Sequence, residues 1–213
     1  MACAICRIRK PRRFCPGVHG DICTLCCGNE REVTVDCPFD CVYLREARKH
    51  ERGAEVDPKQ IPNQDIRVTE EFLEEHEPLL SATADRLFHA ALATPGAVDH
   101  DVRDALDALI RTQRTLQSGV YYETRPVNTL ANHIYGLTQS GLEAFRKEET
   151  EKFGMRRTRD SDVLQILVFL QRLEFDRNNG RPRGRAFLDF LRGFVMETKP
   201  SSAAPSPPSL IVP

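Results

Sequence analysis

The chain has 213 residues, with 30 Lys+Arg, 31 Asp+Glu and a formal net charge of −1. That balance excludes an extreme polyelectrolyte and gives no global steering toward nucleic acid or an anionic membrane. All eight cysteines fall between Cys3 and Cys41 and the remaining 172 residues contain none, so one small module uses sulfur and the rest folds without it.

The N-terminus, MACAICRIRKPRRFC, has no apolar run of signal-peptide length, and the longest candidate, Ile166 to Leu170, is five residues. A membrane span needs roughly 18. The expectation is a cytoplasmic protein without membrane association. In a reducing compartment, clustered cysteines bind metal or do redox chemistry rather than form a disulfide framework.

Residues 1–52 form the cysteine module, spaced Cys3-x2-Cys6, Cys15, Cys23-x2-Cys26, Cys27 and Cys37-x3-Cys41. A two-residue gap in a tight turn lets two thiolates face one ion, and two such pairs complete the tetrahedral sulfur shell that Zn²⁺ accepts. A segment this short cannot build a large apolar core, so metal ligation supplies much of its folding free energy. All eight cysteines are candidate ligands, and the simplest count is two Zn²⁺ per chain, each held by four cysteines.

Local patterning adds an architecture. Cys23 to Gly28 reads as a zinc knuckle whose glycine takes positive φ. Glu32 to Asp36 alternates polar and apolar like one arm of a hairpin. Cys37 and Cys41 open a helix, CVYLREARKHER, as an i, i+4 pair on one face. Over residues 23–52 this order resembles a treble-clef zinc finger. A second arrangement puts His19 in place of Cys27, and the pairs 3/6, 15/19, 23/26 and 37/41 interleave first with third and second with fourth. That layout is similar to cross-braced RING- and B-box-type modules. His50, among Glu46 and Glu51, reads as a surface residue.

Residues 53–68 are polar and proline-bearing and read as a linker. From 69 to 197 the pattern is helical, with five segments starting near 77, 100, 127, 160 and 183. Leu80, Ala84, Leu87, Phe88 and Ala91 share one face of the first, and Val102, Ala105, Leu106, Leu109 and Ile110 one face of the second. The third carries Leu130, Ile134, Leu137 and Phe145. The fourth opens with Asp160 or Ser161 as its cap and is apolar nearly all round from Val163 to Phe175, which places it centrally. The fifth is amphipathic through Phe187, Leu188, Leu191, Phe194 and Val195. The Ser/Pro/Ala-rich tail 198–213 reads as disordered. The expected fold class is therefore a small zinc-finger module, treble-clef or cross-brace-like, followed by an all-α bundle of about five helices.

Charge divides unevenly. Residues 1–52 hold ten Lys/Arg against seven Asp/Glu, a formal +3, but eight thiolates on two Zn²⁺ bring the loaded module to about −1. The run Arg7, Arg9, Lys10, Arg12, Arg13 stays locally positive. Arginine-rich loops at 156–159 and 177–185 bracket the fourth helix, and either binds phosphate or an acidic partner, or pairs internally. Residues 53–80 carry eight acids and two bases, so an intramolecular acidic-to-basic contact accounts for both.

No Walker A loop, GxSxG, GxGxxG or HExxH occurs, and Leu73 stands where a Glu-x-x-His metal motif ending at His76 needs glutamate. Asp85 and His89 read as a surface pair. The expectation is a non-enzymatic zinc-binding adaptor or regulator that acts on a protein partner. The alternatives are a nucleic-acid-binding regulator using Arg7–Arg13 and the arginine loops, and an iron–sulfur or redox protein using the same cysteines, although the ferredoxin run is absent.

Overall fold

The computed structural model describes residues 2–51, 57–119 and 122–198. Among these the chain is mostly helical, with one two-stranded sheet near the N-terminus.

The sheet pairs β1 (Arg13–Cys15) with β2 (Gly20–Ile22) antiparallel, Phe14 facing Asp21. Pro16-Gly17 carries the turn signal, and Gly17 is required: a Cβ there would run into the Asp36 carbonyl oxygen and, at 2.8 Å, Val35 Cγ1. The hairpin is thus formed here and not at Glu32–Asp36, where the alternation yields only a single bridge between Arg31 and Val35.

Cys23 caps α1 (Thr24–Glu30), its sulfur accepting from the Cys26 N–H. Gly28 lies inside that helix, so it is not the positive-φ residue of a knuckle. Positive φ falls instead on Arg7, His19 and Glu32. Cys41 is the N-cap of α2 (Val42–Arg48). Cys37 therefore precedes the helix, and the pair is brought together by a turn in which the Cys41 N–H donates to Pro38 O at 3.1 Å, not by a helical i, i+4 face.

Six helices follow: α3 (Glu70–Glu75), α4 (Glu77–Leu92), α5 (Asp99–Gln117), α6 (Thr129–Phe153), α7 (Asp160–Arg177) and α8 (Ala186–Thr198). The five expected starts reappear at 77, 99, 129, 160 and 186, preceded by the short α3. Their apolar faces meet in one core that includes Leu87, Leu106, Ile134, Leu167 and Leu188, each buried side chain of this size stabilising by roughly 1.5–3 kcal/mol. The central position of α7 follows from its apolar circumference: Val163, Leu164, Ile166, Leu167, Val168 and Leu170 are all buried.

Caps come from less obvious residues. Arg159, not Asp160 or Ser161, is the N-cap of α7, because Asp162 reaches back to the Arg159 N–H at 2.8 Å and satisfies it. Gly141 lets α6 approach α4, since a Cβ would meet the Arg86 side chain at 2.8 Å.

Of the segment read as a linker, residues 57–68 lie against the bundle. Arg172 of α7 donates to the carbonyls of Pro62, Asn63 and Ile66, and Asn63 bonds Gln171 at 2.6 Å. The rest of that segment and the tail from 199 fall outside the described residues.

Candidate metal centre

Cys3 and Cys6 sit on a turn at the N-terminus. The Arg7 N–H returns to the Cys3 carbonyl at 2.8 Å, and positive φ at Arg7 completes the reversal. The Ala4 N–H donates to Asp21 O at 2.9 Å, which lays this turn along β2. Directly after β2, Cys23 and Cys26 open α1. The Sγ atoms of Cys3, Cys6, Cys23 and Cys26 then lie within 4.8 Å of one another, and this is the one such group among the described residues. Cys3, Cys23 and Cys26 are buried and Cys6 is half-buried.

The surroundings favour thiolate at some positions and oppose it at others. Burial pushes the Cys3 thiol up, but N–H groups of Cys23, Cys6 and Ile5 outweigh it and bring the thiol down to about 6; the Cys23 N–H stands 3.2 Å from Cys3 Sγ. N–H groups of Arg9 and Ile8 lower Cys6 as well. Burial, reinforced by the other three sulfurs, pushes Cys26 up to about 12. The Arg9 guanidinium beside Cys23 is itself held more firmly protonated by that sulfur. Four sulfurs this close cannot all ionise unaided, whereas a cation among them removes the repulsion. The donor set is compatible with metal binding.

The other four expected ligands are not in this group. Cys15, Cys27, Cys37 and Cys41 line a separate small cavity with Ile22 and Leu44. The treble-clef pairing of 23/26 with 37/41 is thereby overturned: Cys23 and Cys26 join Cys3 and Cys6, first pair with third. His19 is exposed at positive φ and stands outside the four-sulfur group. His50 is exposed beside Glu46 at 3.6 Å.

The charged loops pair largely within the chain. Arg156 and Arg146 both reach Asp160, Arg157 stacks on Phe153 at 4.1 Å, and Arg177 meets Asp176 at 3.1 Å. Arg181 bonds Glu51 and the Arg31 carbonyl, while Arg185 bonds Asp36 at 2.9 Å. The acidic stretch finds a different partner from the one expected, with Asp65 on Arg114 at 2.8 Å. His89 pairs with Asp85 at 3.4 Å.

One residue that organises this end of the molecule carries no local sequence signal. Glu32, fully buried, accepts from Arg48 at 2.6 Å, Asn179 at 2.8 Å and the Arg185 N–H at 3.0 Å. It ties the cysteine module to the loop between α7 and α8, nearly 150 residues further along the chain, a distance that no local pattern spans. Compared with known proteins, the chain matches no family model, no curated protein and no solved structure. No helix among the described residues is long and apolar enough to cross a membrane.

Proposed function

We propose that the chain is a non-enzymatic adaptor or regulator whose cysteine module is ordered by zinc and recognises a protein partner. The observation that carries this reading is the mutual approach of four cysteine sulfurs, three of them on buried residues. A tetrahedral Zn²⁺ thiolate shell has sulfurs about 3.8 Å apart, from Zn–S bonds of ~2.3 Å, so the group closes on zinc with small side-chain movements. Cys3, Cys6, Cys23 and Cys26 then fill every position of the shell. A filled shell offers no site for water or substrate, which supports a structural ion over a catalytic one.

The recognition surface is the module's own exterior. Ile8, Phe14, Leu25, Val42 and Tyr43 are exposed there, Ile8 at 86%. A module that spends its ligation energy on order while leaving large apolar side chains outside supports a binding role. The apolar face of α8 adds nothing to that surface, because Phe187, Leu188, Leu191 and Val195 are buried.

The test compares affinity capture by the wild type, by the wild type after zinc removal and by Phe14→Asp with Val42→Asp. A partner held by the first and lost by the other two supports the reading. A chain that binds no protein, or binds one equally in all three forms, refutes it.

A second reading keeps one observation in its favour. Arg13 stacks on Tyr43 at 4.1 Å beside exposed Phe14 and Arg12, a pairing of cations and rings suited to single-stranded nucleic acid. If RNA and DNA affinity is absent even at low salt, where phosphate contacts are strongest, that reading fails.

A further inference from the structure

The cavity shared by the remaining cysteines holds one ion-sized space. Cys15 ends β1, Cys27 lies on α1, Cys37 precedes the turn into α2 and Cys41 caps that helix. They converge with Ile22 and Leu44 around a cavity of about 10 Å³, roughly the room of a single water or ion. Cys15 and Cys37 are buried, and Cys27 and Cys41 half-buried.

Charge supplies the second observation. Arg13 and Arg31 each aim a guanidinium nitrogen at Cys27 Sγ, at 3.8 and 3.9 Å. Four neutral thiols have no use for two cations. A divalent ion in four thiolates carries a net −2, which two arginines balance.

We propose that Cys15, Cys27, Cys37 and Cys41 hold a second zinc ion, interleaved along the chain with the first. This rests on the zinc reading of the first cluster. The sulfurs here stand wider than in the 3/6/23/26 group, and binding draws them inward from β1, α1 and the turn that leads into α2. The ion thereby clamps residues 27–41, the stretch that carries both Glu32 and Asp36 to the bundle. It fastens the module to the helices, while the first ion fastens the N-terminal turn to α1.

The experiment is metal counting by native mass spectrometry on the full chain, with cobalt titration in parallel. Two zinc ions in the wild type are expected. Cys37→Ser with Cys41→Ser should keep one, and cobalt should saturate at two tetrathiolate sites in the wild type. One ion per chain, unaffected by the 37/41 pair, overturns the second site alone; none overturns both sites. Two ions of another element keep the site and overturn zinc. Should a variant fail to fold, alkylation of the folded wild type decides: eight protected cysteines support two sites, and four that react freely overturn the second.

Discussion

The Glu32 carboxylate is fully buried and receives Arg48 at 2.6 Å, with Arg48 itself only 13% exposed. Arg48 continues to Asp189 of α8 at 2.5 Å, so α2 is tied to the bundle through a carboxylate on either side. Removing one member of such a buried pair strands the other. Glu32→Gln is expected to cost about 3 kcal/mol and to expose the 177–185 loop to protease. Chemical denaturation and limited proteolysis measure the two effects; unchanged stability would remove Glu32 from the docking role.

A pair inside the bundle behaves alike. Arg103 grips Glu174 through two nitrogens at 2.9 and 2.8 Å, and Glu174 is 1% exposed. Burial raises the Glu174 carboxyl, against Arg103, which lowers it. Because the Arg103 side chain is 39% exposed and solvent screens the pair, Arg103→Ala should destabilise by about 2 kcal/mol, whereas Arg103→Met with Glu174→Met should recover most of that loss. A thermal-melting double-mutant cycle reads the difference.

The fold of the bundle was legible in the sequence, and the docking was not. Apolar residues at three- and four-residue steps, such as Leu80, Ala84, Leu87 and Ala91, settle a helix and its inward face together, since one period encodes both. The four-cysteine group was partly legible: Cys3-x2-Cys6 and Cys23-x2-Cys26 announce ligands, but spacing is silent on which pairs share an ion. The Pro16-Gly17 turn decides that, by returning β2 alongside the first pair. Gly28 misled because a glycine after Cys-Cys suits a knuckle, yet the Cys23 cap makes those residues the first helical turns. Glu32 left no mark at all. Its partners lie at 48, 179 and 185, and long-range charge pairing has no period.

Stability should also depend on pH through Asp99. Its carboxylate accepts from the Phe187 and Leu188 N–H groups at 2.9 and 3.1 Å and so caps α8 from α5. Burial nonetheless outweighs those bonds and raises Asp99 from 3.8 to about 7. The folded chain then keeps a proton that the unfolded chain releases. That contribution is fully present below about pH 4 and is lost as pH rises toward 7, by up to ~1.4 kcal/mol per pH unit. Asp99→Asn should flatten the slope in that window. An identical slope in the variant would exclude Asp99 as its source.

Cys23→Ser with Cys26→Ser should abolish the first metal site and melt residues 2–48. Ligation in such modules is worth on the order of 10 kcal/mol. The helices α4–α8 should persist, at lower stability, because Arg48 and Glu32 no longer reach them. Circular dichroism with amide NMR distinguishes the regions. Complete loss of helical signal would show that the bundle cannot stand without the module.

Everything proposed for the module depends on whether Cys3, Cys6, Cys23 and Cys26 hold an ion, and which one. Elemental analysis of the purified chain, with its visible absorption spectrum, tests this most directly. Bound zinc and a colourless protein, with the metal lost in Cys3→Ser, is the predicted result. Iron with a visible charge-transfer band, or a folded module free of metal, would contradict it.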